Sequence, residues 1–320
     1  MKVIFMENEY LSIGILPGRG SDIFQFVYKP VGIDLMLRLD KDILNPNEVF
    51  SQDRSTNNQF EDYYYGGWQE ILPNSAPLDY RGAILGQHGE VSLISWEYAI
   101  VKNSEEEVSV KLWARPLRFP IVIEKTLTLK KGSKSSEIDE VLTNESDTQL
   151  HLMWGHHIAF GLPFLESGGA IETSATKFIA ENKMPDKRIF KPGTTQDWPM
   201  VTTVDNQKKD ASIILKPSES KFSELAYLND FTAKAYYKIT TDIMSFSIEW
   251  DKDIFKSLWY WQECYATQNA PWWGKTYAFA LEPWTNNWEE NPSKESIEKD
   301  WLKLDPRQRI ETSLSTNCNH

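Results

Sequence analysis

Five histidines are few for 320 residues, and two of them stand beside glycine, where a backbone can approach closely. Imidazole is the side chain best suited to give and take a proton near neutrality. His88 sits in Gly86-Gln87-His88-Gly89-Glu90, a glycine-flanked turn. His156 and His157 close the run His151-Leu152-Met153-Trp154-Gly155-His156-His157, which reads as a strand. Successive strand side chains point to opposite faces, so one of the adjacent pair lines a cleft and the other packs locally. A lone histidine is more often a hydrogen-bonded scaffold residue than a catalyst. The scarcity of histidine makes the two clusters worth weighing, and one carboxylate stands out separately. Glu282 follows the apolar run Tyr277-Ala278-Phe279-Ala280-Leu281 and precedes Pro283-Trp284. Solvent exposure at the strand end is the plain reading. Its apolar and aromatic neighbours on both sides favour a partly desolvated carboxyl with a shifted pKa.

Two further segments carry groups that could hold a polar ligand. Gly66-Gly67-Trp68-Gln69-Glu70-Ile71-Leu72-Pro73-Asn74 places an indole, amides and a carboxylate beside two glycines. Trp259-Tyr260-Trp261-Gln262-Glu263 puts two indoles on one strand face, upstream of Pro271-Trp272-Trp273-Gly274. The chain holds 13 Trp, 13 Tyr and 15 Phe, or 13% aromatic residues. Most belong in a β-rich core, where such rings suit pleated, half-buried surfaces. The remainder fit a sugar site, since indoles stack on the apolar face of a pyranose while polar groups serve its hydroxyls.

Charge and composition remove other classes. Thirty-four basic against 46 acidic residues leave −12, which argues against a nucleic-acid partner. No apolar run approaches the roughly 20 residues of a membrane-spanning helix. The N-terminus lacks a secretory apolar region, and Cys264 and Cys318 make neither a disulfide framework nor a zinc site, so a reducing cytoplasm is the expected compartment. No P-loop and no metal-ligand cluster is legible, so neither a cofactor nor a metal is expected.

The elements that must carry these residues are mostly strands. Alternation marks Val108–Ala114, Ile121–Leu129 and Ser135–Thr143, the last two joined by the turn Lys130-Lys131-Gly132-Ser133-Lys134. Further strands are expected at Val3–Met6, Ser92–Val101, Leu150–Phe160, Ala211–Leu215, Ala235–Thr240, Met244–Trp250 and Thr276–Glu282. One helix is clear: Ser293 caps it, Ile297, Trp301 and Leu304 share a face, and Pro306 ends it. Strands in series with almost no helix predict an all-β, large antiparallel sandwich, with residues 1–320 as one domain.

His88-Gly89, Gly155-His156-His157-Ile158-Ala159-Phe160 and Leu281-Glu282-Pro283-Trp284 come in the order and spacing of the aldose 1-epimerase (galactose mutarotase-like) superfamily, which the chain resembles from about residue 8 to 315. Gly67 to Asn74 resembles a signature of an uncharacterised branch. The resemblance implies a β-supersandwich enzyme that interconverts the α and β anomers of a free sugar or sugar derivative. It implies His157 as acid, Glu282 as base, and His88 as a contact to the sugar. Two departures stand out. His156 occupies a place that is often Asn or Gly, and Arg81 is at the wrong offset for the arginine that binds sugar in the galactose enzymes. Trp68, Gln69 and Asn74 are expected to supply part of the missing contacts, because amides suit hydroxyls and an indole suits a ring face.

Two other functions remain open on sequence. A glycoside hydrolase needs a second carboxylate roughly 5–9.5 Å from Glu282, for which Glu263, Glu70 and Glu90 are candidates. A non-catalytic carbohydrate-binding protein needs only the aromatic platforms. A sugar-phosphate substrate would require a cationic clamp, and Arg19, Arg54, Arg81 and Arg118 are scattered. The expected partner is a small carbohydrate, with oligomeric state undetermined.

Overall fold

Strand-forming segments pair into long antiparallel ladders in the computed structural model, which describes residues 1–46, 48 and 59–320. Arg54 lies outside the described residues. Among the described residues, eleven strands make one sheet, whose central order is Asp22–Tyr28, Trp68–Ile71, Gly155–Phe160, Tyr277–Trp284, Ser257–Cys264, Phe222–Phe231 and Ala175–Ala180. Nine make a second, centred on Ala235–Thr240, Ser245–Trp250, Arg309–Asn319, Ser135–Asn144, Ile121–Lys130 and Glu107–Ala114. The sheets face each other across a common core. Phe246 of the smaller sheet lies 5.5 Å from Phe160 and 5.6 Å from Phe26 of the larger, ring centre to ring centre. This is the all-β sandwich that the alternation predicts.

The larger sheet is covered on both faces, and that explains its unusual sequence. A second apolar cluster, including Leu225, Trp259, Ala278, Ala280 and Trp284, lies on the face away from the smaller sheet. All eight residues of Tyr277–Trp284 are therefore buried, and the segment reads as a continuous apolar run. The expected strand ended at Glu282. It continues to Trp284, which leaves Glu282 inside the sheet.

Between the sheets the core holds charge. Glu70 and His156 from the larger sheet meet Lys125 and Glu140 from the smaller, all buried. Lys125 Nζ lies 3.4 Å from Glu70 Oε2, and His156 Nε2 lies 3.2 Å from Glu140 Oε2. The indole of Trp68 donates to His156 Nδ1 at 3.2 Å, and that of Trp154 donates to Glu70. Burial pushes Glu140 up to about 8, assisted by the nearby Glu70 carboxylate. Burial acts the same way on Glu70, but His156 and Lys125 outweigh it and hold that carboxyl low. Such clusters contribute little net stability but are costly to break, because removing one member strands another charge.

Other expected elements are displaced in instructive ways. The hairpin forms as Ile121–Lys130 and Ser135–Asn144. The strand expected from Leu150 to Phe160 is broken at Met153-Trp154, whose backbone N–H groups turn to Pro73 O and Thr285 Oγ1. Ser293 does cap a helix, accepting from the Ser296 N–H, but the helix stops at Asp300. Leu302–Leu304 instead pairs as a strand with Leu150–Leu152, so the apolar spacing that suggested a longer helix serves a sheet.

Candidate active site

Three neighbouring strands fix the centre of the site through their register. Gly155 opposes Trp284 and Ala159 opposes Ala280, so the same register sets His157 opposite Glu282. On the other side Glu282 opposes Trp259. Imidazole, carboxyl and indole thus stand side by side on the outer face of the larger sheet. His157 Nε2 is 3.7 Å from Glu282 Oε1, close enough to share a third atom but longer than a direct hydrogen bond. The other oxygen, Oε2, accepts from Trp284 Nε1 at 3.0 Å. Gly155 is required for that arrangement. A Cβ there would come within 2.1 Å of the Trp284 ring.

A cavity of about 450 Å³ opens above the pair, a size suited to a small molecule. Its walls are largely aromatic, with Phe60, Tyr64, Trp259, Trp261, Trp272 and Trp288 among them. Trp259 stacks on Trp284 with ring centres 4.1 Å apart. His88 reaches the same cavity from its turn, with its ring centre 5.6 Å from that of His157. It has a left-handed φ of 61°, and Gly89 after it packs so tightly that a Cβ would lie 2.0 Å from Leu72 O. Four buried polar atoms on this lining have no partner among the described residues: Tyr64 Oη, His88 Nδ1, His157 Nδ1 and Trp288 Nε1. Aromatic walls with unmet hydrogen-bonding groups suit a ligand that is apolar on its faces and polar on its rim.

Desolvation dominates the electrostatics. Burial pushes His157 down to about 3 and Glu282 up to about 8. Between those limits the pair carries one proton and one acceptor, and in this environment the proton rests on the carboxyl. Burial and the adjacent His157 also hold His88 well below the usual histidine range, so it is a neutral hydrogen-bonding group.

The structure brings His157, Glu282 and His88 into one cavity, and it separates the other three expected ligand contacts from it. Trp68 points between the sheets toward His156. Gln69 Nε2 donates to Gly66 O at 2.7 Å, and Asn74 Nδ2 donates to Ala76 O and Gly86 O. All three are buried and hold the fold's own backbone and side chains, so expecting them at the sugar is corrected here. His156, facing the inter-sheet cluster, and His151, paired in the strand opposite Lys303, also lie elsewhere. Among the described residues, Glu70, Glu140 and His156 are the group whose ligand atoms come close enough to hold a metal, within 4.8 Å of one another. Lys125 and the two indoles already serve those atoms. Cys264 and Cys318 are buried, and burial pushes both thiols up to about 12.

Several cavity residues carry no signal in the sequence. Phe60 and Tyr64 come from and beside the short helix Gln59–Tyr63, and Trp288 comes from the segment after Trp284. Trp261 and Trp272 belong to runs that stand out by indole density alone. Glu263 also lines the cavity, but its carboxylate accepts from the Ala266 and Thr267 N–H groups and from Thr267 Oγ1, which anchors the loop carrying Trp272.

Comparison with known proteins agrees with this architecture. No curated protein sequence matches the chain. Among solved structures, a proposed aldose 1-epimerase from Klebsiella pneumoniae superimposes with a TM-score of 0.70 at 16% identity, covering 97% of this chain and 77% of that one. A galactose mutarotase related enzyme from Lactobacillus acidophilus gives 0.63 at 16% identity, over 100% of this chain and 98% of the other. A galactose mutarotase-like protein from Clostridium acetobutylicum gives 0.64 at 13%, over 99% and 95%. Residues 1–318 match the family described as Domain of unknown function (DUF4432). The chain therefore belongs to that family, and its fold is the one seen in the galactose mutarotase-like structures.

Proposed function

We propose that the protein is a mutarotase-like isomerase, interconverting the α and β anomers of an uncharged sugar by proton transfer at His157 and Glu282. The observation that carries this reading is the 3.7 Å separation of His157 Nε2 and Glu282 Oε1 beneath an aromatic cavity. Ring opening needs one group to take the proton of the C1 hydroxyl and another to give a proton to the ring oxygen. The C1–O5 bond then breaks, its electron pair stays on O5, and the electron pair of the former O1–H bond forms the aldehyde. Rotation about C1–C2 and closure by the reverse steps give the other anomer. A pair holding one proton and one vacant site is equipped for both transfers.

With the proton on Glu282, the carboxyl protonates the ring oxygen and the imidazole accepts from O1. With it on His157, the roles are those the superfamily resemblance implies. The two arrangements differ by one proton shift: ring opening converts one into the other, and reclosure by the reverse steps restores the first. His88 and Tyr64, each with a polar atom on the cavity wall that has no partner among the described residues, are assigned to sugar hydroxyls.

The competing readings find less support. Glu70 lies between the sheets, Glu263 anchors a loop, and Glu90 accepts the Arg118 N–H, so none is placed as a hydrolase's second carboxylate. Among the described residues the cavity lining has no Lys or Arg, whereas Glu61, Glu263, Glu282 and Glu290 contribute to it. That balance disfavours phosphorylated or acidic sugars. A purely binding protein has no use for a proton-sharing pair under its ligand.

Anomer exchange by NMR or polarimetry on freshly dissolved sugars tests the reading. Loss of the acid–base partner in His157→Ala or Glu282→Gln is expected to slow exchange about 10²–10⁴-fold. If no free sugar in a broad panel equilibrates faster with the wild-type protein, the enzymatic reading is wrong.

A further inference from the structure

A second cavity of about 520 Å³ adjoins the first. Trp272 and Glu61 line both. Two features suggest what the second space holds. Trp273 lines it with 63% of its surface exposed, a large apolar face open to the cavity side. The backbone of Trp273 is held at a φ of 50°, left-handed and unfavourable for a bulky residue, by bonds from Gly274 N to Thr267 O and from Lys275 N to Trp272 O. The turn thus presents the indole at a backbone cost. Charge supplies the second feature. Among the described lining residues, Arg38, Lys41 and Lys275 are balanced by Asp40, Glu61 and Asp62. A wall rich in both donors and acceptors but without net charge matches hydroxyl groups better than a phosphate or a carboxylate.

We propose that this cavity is a subsite for a second sugar ring, and that the ligand is a reducing disaccharide or longer oligosaccharide whose terminal reducing ring occupies the first cavity. The proposal takes its orientation from the anomer-exchange reading. The ring over His157 and Glu282 must keep its C1 hydroxyl free, so the chain extends from one of its other hydroxyls. It crosses the edge of Trp272 and lays the next ring on Trp273.

The test pairs kinetics with binding. Anomer exchange is followed by NMR for glucose and galactose, and for maltose, cellobiose, lactose and gentiobiose. At least one disaccharide is expected to exceed its monosaccharide in kcat/KM, and Trp273→Ala is expected to lower the disaccharide-to-monosaccharide ratio about five-fold or more, the equivalent of one stacking contact. Trp273→Phe is expected to restore part of that ratio. Trp273→Gly, which suits the left-handed backbone, is expected to behave as Trp273→Ala, which separates loss of the ring from distortion of the turn. Calorimetric titration of the same sugars into Glu282→Gln, with and without Trp273→Ala, reads the subsite without catalysis. If no sugar exchanges faster yet a disaccharide binds in a Trp273-dependent way, the isomerase reading fails and the subsite stands. If every disaccharide is matched by its monosaccharide in both measurements, or Trp273→Ala weakens both kinds of sugar equally, the subsite is refuted.

Discussion

Replacing Glu282 by glutamine should make the protein more stable while removing its chemistry. The carboxyl titrates at about 8 in the cavity against 4.5 ordinarily, because burial penalises its charged form. A pKa raised on folding means that the native state binds the proton more tightly than the unfolded chain. Its contribution to stability is fully present below pH 4.5 and is lost progressively as the pH rises through about 8. At pH 7 the unfolded chain gains by ionising across two and a half pH units that the native state cannot use. At 1.36 kcal/mol per unit the native state forfeits about 3 kcal/mol. Glutamine keeps the shape and an oxygen to accept from Trp284 Nε1, and it has no proton to lose. Urea unfolding of wild type and Glu282→Gln at pH 4 and pH 7 isolates the effect, because other titrating groups cancel in the double difference. The expected result is a variant that gains up to about 3 kcal/mol on the wild type between pH 4 and pH 7 and exchanges anomers at least about 100-fold more slowly. A double difference near zero would show that the carboxyl is ionised in the native state. The one-proton description of the pair would then be wrong.

Other outcomes follow from the same geometry. The value of kcat/KM should be flat across mildly acidic and neutral pH and fall about tenfold per unit above pH 8, as Glu282 loses the shared proton. A rise between pH 6.5 and 9 would contradict it. Gly155→Ala places a methyl against the Trp284 ring and should cost about 1–3 kcal/mol in urea unfolding while raising KM. Stability and KM both unaltered would show that the strand shifts freely. Lys125→Met strands Glu70 between the sheets and should cost about 3–5 kcal/mol at neutral pH, with partial recovery in Lys125→Met/Glu70→Gln. Equal stability of the single and double variants would mean that the ion pair is not what holds that region.

How far the sequence disclosed this site depended on whether a residue's surroundings were written next to it. Glu282 was legible because a carboxylate within an apolar run has little access to water on either face of a sheet. The division of His156 from His157 followed from strand alternation, which no tertiary contact can override without breaking the ladder. Trp68, Gln69 and Asn74 were misjudged for a physical reason. An amide that can bond a sugar hydroxyl bonds a backbone carbonyl equally well, and Gln69 and Asn74 meet Gly66, Ala76 and Gly86 at distances of 2.7–2.8 Å. Tyr64 and Trp288 escaped notice because they enter from segments without strand periodicity, where placement depends on distant packing. The helix that ends at Asp300 shows the same limit. Ile297, Trp301 and Leu304 fit a helical face, yet Leu304 is committed to a strand beside Leu150.

The strand Gly155–Phe160 is clamped from behind. His156 is locked into the ionic cluster between the sheets, and the next residue along the same backbone is His157, so the azimuth of the imidazole is set by salt contacts on the opposite side. On the proposed reading, a redesign of the cavity has little latitude in that strand, where a change would rotate the His157 imidazole. Latitude lies instead in Tyr64, Trp272 and Trp288, which reach the cavity from outside the strands and can be exchanged to reshape its outline while His157 and Glu282 stay where they are.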